Sequence, residues 1–382
     1  MKEWLSRIIS TIASLIPTTN IVLFQSSPDY SDNAYAMCKY LNNMVTCGKW
    51  KFVWVIVDWE RKEAVLSGMR QDGINAQLVG HHSIKGIWYF IRARYVFCSH
   101  GLYDNIKLHQ HKDKNINLWH GMPLKKLGAC DIDRPGGGRP CSTNFDFVIS
   151  TSKYYQKIMA AVFATTVDRV LVTGQPRCDL LFEATDWFSL KGIKKEKYTR
   201  VGIWMPTFRK SIRGEVRVDG HYDEKAISFV CESDLDKLDD ILKDINTLLL
   251  IKIHPMDALQ NASFKSYSNI VIIKPRESST PLYPLLGACD FLLTDYSSVF
   301  IDYQILNRPI GFVMNDIEEY KNSRGLFIED LEKDLPGPIL SNLSMLINFI
   351  REPYVENNDF DYNDFFDNCS SERICKALKI SL

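Results

Sequence analysis

After Pro17 the chain settles into short apolar runs separated by segments of helical period. Ile21–Phe24 reads as a buried strand, a Ser-Ser-Pro-Asp turn follows, and a helix is expected from about Asn33 to Leu41. Phe52–Val57, Tyr95–Cys98, Ile116–Trp119, Phe145–Ile149 and Val170–Val172 continue the series. Runs without polar alternation are buried on both faces. With helices between them, they predict βαβ units and a parallel sheet. A second series comprises Val201–Met205, Leu248–Ile253, Ile270–Ile273, Phe291–Leu293 and Ile310–Val313, with a helix over Leu235–Ile245. Between the two series, Trp187–Arg200 turns polar and lysine-rich, as an interdomain linker does. Ahead of Pro17, Trp4, Leu5, Ile8, Ile9, Ile12, Leu15 and Ile16 recur at helical spacing beside Lys2 and Arg7. That segment fits an interfacial membrane helix or a helix packed on the protein body. The expected organisation is a helix over 1–16, Rossmann-like domains over 17–186 and 201–345, and a helical tail over 346–382.

Composition narrows the class. Lys+Arg and Asp+Glu number 46 each, so the formal net charge is +0 and the basic excess of a nucleic-acid-wrapping protein is missing. With 46% hydrophobic and 24% charged residues the chain is globular rather than disordered. No apolar run reaches the ~20 residues of a membrane span. The 10 cysteines include no C-x-x-C pair, and no cleavable signal opens the sequence, so reduced thiols in the cytosol are expected. The remaining class is an α/β enzyme, soluble or at a membrane surface.

In open parallel sheets ligands sit at the carboxyl ends of the strands, so the residues just after each run are the candidates for chemistry. Trp119-His120-Gly121-Met122-Pro123-Leu124-Lys125-Lys126 puts a histidine at a strand end. A glycine turn follows, and Pro123 is suited to a first helical turn. Two lysines in such a turn imply an anion at the helix terminus. Thr294-Asp295-Tyr296-Ser297-Ser298 follows another strand, with the serines at an expected N-cap and Asp302 one turn later. Lys252-Ile253-His254-Pro255, Met205-Pro206-Thr207-Phe208-Arg209 and Thr173-Gly174-Gln175-Pro176-Arg177 add cations and hydroxyls at further strand ends. The set suits a phosphorylated ligand. His81-His82 with His109 and His111 lack carboxylates or thiolates at ligand spacing, so no metal is expected. Neither a Walker A motif nor a nucleophile elbow is present.

Taken in order, Trp119–Gly128, Thr173–Asp179, Pro206–Arg209, His254-Pro255 and Thr294–Ser298 resemble the CDP-glycerol glycerophosphotransferases, the primases and polymerases of wall teichoic acid. Ser31-Asp32-Asn33, Asn307-Arg308-Pro309, Tyr320 and Arg324-Gly325 match as well, from about Ile16 to Pro338. The resemblance implies a GT-B fold, two Rossmann-like parallel-sheet domains facing a cleft. It implies transfer of glycerol phosphate from CDP-glycerol to an acceptor hydroxyl at the inner membrane face. It makes His120 the general base and His254 a second catalytic group, with Gly121, Met122, Pro123 and Leu124 turning around the donor. Arg177, Pro206, Thr207, Lys252, Ile253, His254, Ser297, Ser298 and Asp302 become donor contacts, and Arg209 adds a cation for the diphosphate. Met122, Gln175, Cys178, Phe208 and Lys252 depart from the residues common in the family, beside the ligand positions. No cofactor is obligatory in this scheme. The partners are a CDP-alditol, with ribitol as open as glycerol, and a lipid-linked or polymeric glycan acceptor. A UDP-sugar glycosyltransferase or epimerase is the rival enzyme, and a silent glycan-binding protein the non-enzymatic alternative.

Overall fold

The computed structural model describes all residues except 1–7, 9, 14, 46–47, 105, 107–114, 132–136, 208–226, 255–256, 258, 260–261, 275–281, 318–324, 329, 357–361 and 381–382. The chain divides into two compact units. The first takes Met1–Met122, Leu127–Leu180 and Asn363–Leu382; the second takes Pro123–Lys126 and Leu181–Tyr362.

The first unit is built on seven parallel strands: β1 (Thr19–Gln25), β2 (Lys51–Ile56), β3 (Ala76–Gly80), β4 (Ala93–Cys98), β5 (Asn115–Asn117), β6 (Phe147–Ser150) and β7 (Val170–Val172). Their order is β3-β2-β1-β4-β5-β6-β7. Val22, Leu23 and Phe24 are fully buried, as a sheet covered on both faces requires. One covering layer brings Ile21, Leu23, Val53, Val55, Val96 and Phe90 into a common core. Helix α1 (Asp32–Met44) buries Ala34, Met37, Cys38 and Leu41, the i, i+3, i+4, i+7 stripe of an amphipathic helix. Helices α2 (Lys62–Gln71), α3 (Ile84–Arg92) and α4 (Lys153–Val162) cross between strands, and the short α5 (Pro176–Asp179) opens with proline at its first turn.

The second unit repeats the plan with five parallel strands: β8 (Arg200–Met205), β9 (Thr247–Lys252), β10 (Ile270–Ile273), β11 (Phe291–Thr294) and β12 (Ile310–Phe312), ordered β10-β9-β8-β11-β12. Helix α6 (Glu232–Asp244) buries Leu235, Leu238 and Leu242 against this sheet. Helices α7 (Leu282–Gly287), α8 (Val299–Gln304) and α9 (Leu343–Arg351) complete the layers. In both sheets the strand order reverses beside the first strand, between β1 and β4 and between β8 and β11, which is where such folds hold their ligands.

Three expectations change. The break between the units falls at Leu180–Leu181, ahead of the lysine-rich stretch, and Trp187 and Phe188 are buried there rather than exposed as in a linker. The tail expected over 346–382 is split, because α9 belongs to the second unit while α10 (Ser370–Ala377) packs on the first. The Asp179 carboxylate accepts from the backbone N–H groups of Ser370 and Ser371 (2.8 and 2.9 Å), satisfying the opening donors of α10. Finally, Pro123 starts no helix. Leu124 O accepts from Phe327 N (2.8 Å), Lys126 N donates to Gly325 O (2.9 Å), and Lys125 bridges Leu326 in antiparallel fashion. Strand-like pairing satisfies these backbone groups, so there is no helix terminus for Lys125 and Lys126 to share with an anion.

Candidate functional site

In the first unit the sheet ladder continues past the strands. Ser99 N donates to Gln25 O (3.1 Å) and Leu118 N to Cys98 O (2.7 Å), so the exits of β1, β4 and β5 run side by side at the switch point. Trp119 and Gly121 then adopt positive φ (51° and 135°). The bulky Trp119 is costly in that region, of the order of 1–3 kcal/mol, and persists only if its surroundings over-determine it. They do. Asn117 Oδ1 accepts from Trp119 N (2.9 Å), and Asn33 Nδ2 donates to the carbonyls of Leu118 and Trp119 (both 3.0 Å). Asn33 Oδ1 accepts in turn from Arg177 N (3.0 Å). Arg177 Nη1 donates to His120 O and to Asp32 Oδ1, at 2.8 Å each. Arg177 is 6% exposed, and its Nη1 holds the His120 carbonyl in place.

The His120 ring is the half-buried centre of this scaffold. Its Nδ1 lies 3.1 Å from Ser99 O. A carbonyl only accepts, so Nδ1 carries the proton in that bond and Nε2 keeps its lone pair. The imidazole of His100 stacks on it with centroids 4.0 Å apart and planes 8° from parallel, and Trp119 flanks it at 3.9 Å. Burial, followed by the neighbouring His100, lowers the His120 pKa from 6.5 to about 4. His120 is therefore neutral near pH 7. Met122 (1% exposed) and Leu124 (8%) bury their side chains and Gly121 and Pro123 are buried as well, leaving this turn to act through its backbone.

The second unit gathers its polar groups at its own switch point. Thr207 N donates to both Asp295 oxygens (3.0 and 3.1 Å) and Thr207 Oγ1 to Oδ2 (2.9 Å), tying the exit of β8 to that of β11. Pro206 is buried beneath this link. Ser297 and Ser298 follow, both half-buried, with Ser298 at the start of α8. At the end of β9, Lys252 has its pKa lowered by burial, and no carboxylate pairs with it among the described residues. His254 is half-buried, whereas Ile253 is wholly inside the apolar core and offers a ligand only its backbone. Asp302 is also fully buried and accepts from Tyr283 OH (2.6 Å), so it braces α7 rather than lying open. Arg209 and Phe208 lie outside the described residues, as do Pro255, His109 and His111.

Asn33 was visible in sequence only as part of a matching tripeptide, and His100 was missed. The signal for His100 was the same as for His120, a histidine directly after a buried strand.

Two parallel-sheet units, each with polar groups at the carboxyl edge of its switch point, define a GT-B-like fold. The chain belongs to the CDP-glycerol:poly(glycerophosphate) glycerophosphotransferase family, whose sequence profile matches residues 8–378. It is an enzyme of that family. It is 26% identical over 394 residues to the teichoic acid glycerol-phosphate transferase of Staphylococcus aureus (strain NCTC 8325 / PS 47), covering 96% of this chain and 95% of that one. It is also 26% identical over 398 residues to the teichoic acid poly(glycerol phosphate) polymerase of Bacillus spizizenii (strain ATCC 23059 / NRRL B-14472 / W23), covering 98% and 94%. Among solved structures, a wall teichoic acid polymerase TagF variant soaked with CDPG superposes with TM-score 0.71 at 23% identity, over 98% of this chain and 93% of that one. A UDP-N-acetylglucosamine 2-epimerase described as putative, from Listeria monocytogenes, shares the fold at TM-score 0.56 and 13% identity, over 95% and 96%.

Proposed function

We propose that this glycerophosphotransferase of teichoic acid synthesis uses His120 as the general base that delivers an acceptor hydroxyl to the β-phosphorus of CDP-glycerol. An alcohol is a weak nucleophile near neutral pH, and a neutral imidazole within reach removes its proton as the new bond forms. The observation that carries the reading is the Nδ1–H bond to Ser99 O, which leaves Nε2 basic. In the step, the acceptor oxygen bonds to the β-phosphorus and its proton passes to Nε2. The bridging P–O bond breaks and CMP leaves with the electron pair.

The donor's diphosphate needs cations and hydrogen-bond donors already in place. Lys252, with no carboxylate partner among the described residues, and His254 stand at one strand exit of the second unit; Thr207, Ser297 and Ser298 stand at two others. We assign the diphosphate to this set, with Arg209 as a further cation. The acceptor is a lipid-linked or polymeric glycan. For work at a membrane face, Ile8, Ile12 and Leu15 are exposed while Ser10 and Ala13 are buried, so the N-terminal segment turns apolar side chains outward. Trp59, Ile84 and Trp88 are exposed too, with Lys62 and Arg92 over the two indoles at 5.5 and 5.3 Å, the chemistry of an interfacial patch facing anionic lipid.

The test is a screen of purified protein against CDP-glycerol, CDP-ribitol and UDP-sugars with a teichoic acid acceptor. CMP release coupled to a new phosphodiester supports the proposal. Release of UDP, or of no nucleotide, overturns it.

A further inference from the structure

We propose that His100 is a positioning residue of the transfer reaction, its ring fixing the plane of the His120 imidazole so that Nε2 meets the acceptor hydroxyl. The inference rests on the reading of His120 as the base. One hydrogen bond does not orient an imidazole: with Nδ1 on Ser99 O, the ring still tilts about that contact and Nε2 sweeps an arc. A flat partner against one face removes that freedom. His100 is placed to do so, at 4.0 Å and 8° from parallel. The Ser99-His100 dipeptide thus sets both restraints, the carbonyl for one nitrogen and the next side chain for the plane.

The spacing is built into the fold. Leu118 N on Cys98 O and Ser99 N on Gln25 O extend the sheet ladder beyond β4 and β5, bringing the two histidines to adjacent exits. An apolar ring would fill the same space. His100 instead buries an Nδ1 that makes no hydrogen bond among the described residues, which is unfavourable for a group that only packs. What the second imidazole adds is electrostatic. Two rings face to face at this distance are not both imidazolium, so the pair takes up one extra proton at most. The charged groups facing the pair are Asp32 from the start of α1 and Arg177 from α5, and they oppose each other. Burial lowers the pKa of both histidines, and the charge of His100 lowers that of His120 further.

The experiment compares the full-length wild type with His100→Ala and His100→Phe. It measures kcat, KM for CDP-glycerol, the pH dependence of kcat/KM, and the His120 ring titration by NMR. In His100→Ala, kcat falls at least tenfold with KM within about twofold, and the His120 midpoint moves up towards its ordinary value of about 6.5. His100→Phe restores most of the lost kcat because the stack returns, while the midpoint stays above the wild type because the second titrating ring is gone. Wild-type kcat and titration in His100→Ala overturn the proposal, as does a His100→Phe enzyme no better than His100→Ala. If His100→Ala does not fold, an unshifted His120 titration in His100→Phe overturns it and a raised midpoint upholds it. An active His120→Ala enzyme would remove the base itself, whereas a wild-type profile in the His100 variants removes only the positioning role.

Discussion

At the scale of single residues the site depends on side chains that hold backbone. Asn33 ties two carbonyls and one N–H around the strained Trp119. Asn33→Ala leaves these buried groups unpaired, and each such loss costs about 1–3 kcal/mol. The expected outcome is a lower Tm and a lower kcat together, seen in thermal unfolding and steady-state assays. For His120 the folded pKa is depressed, so the sign of its linkage is opposite to that of a histidine gaining an anion. The unfolded chain binds the extra proton first. The stability contributed by burying the neutral ring is complete above about pH 6.5. It is lost as the pH falls through that window towards about 4. Activity follows the base: kcat/KM should hold from pH 7 to about 5 and fall only as His120 protonates near 4, in a pH–rate profile corrected for unfolding. His120 was legible in sequence because a histidine after a buried apolar run has few places to go. His100 and Asn33 were not, because their meaning comes from partners far along the chain that only the sheet brings together.

At the scale of elements, every strand that reads as an uninterrupted apolar run is present, with ends shifted by at most a few residues. β3 escaped because it lies at the sheet edge and only Val79 in it is buried, so its apolar signal is weak. The helix expected at Pro123 failed for a different reason. Proline and glycine signals describe local preference, while residues 325–327 supply a pairing partner that no local pattern contains. Packing within elements is tight enough to test. A Cβ built on Gly202 of β8 would run into the ring of Phe291 on β11, which is fully buried and has no room to move. Gly202→Ala should therefore destabilise the second unit by about 1–3 kcal/mol through overpacking. Denaturant unfolding of the pure protein checks this, and an unchanged midpoint would mean that the sheet yields more than its burial suggests.

At the scale of the molecule, the two-unit plan was readable from the two runs of strands, but the boundaries were not. Apart from the short excursion at Pro123–Lys126, the chain leaves the first unit at Leu180 and comes back to it at Asn363, and no change in composition marks either point. Attachment to a membrane is a property at this scale. Deleting the residues before Pro17, and replacing Ile84 with Glu, should each reduce co-sedimentation with vesicles containing anionic lipid; unchanged binding in both would dismiss the proposal. The central claim concerns how one unit delivers the nucleophile. The most direct measurement is His120→Ala assayed in parallel for CDP-glycerol binding and for CMP release with acceptor present. The account predicts donor binding within about twofold of wild type and CMP release lower by roughly 10²–10⁴-fold. CMP release at the wild-type rate would contradict it.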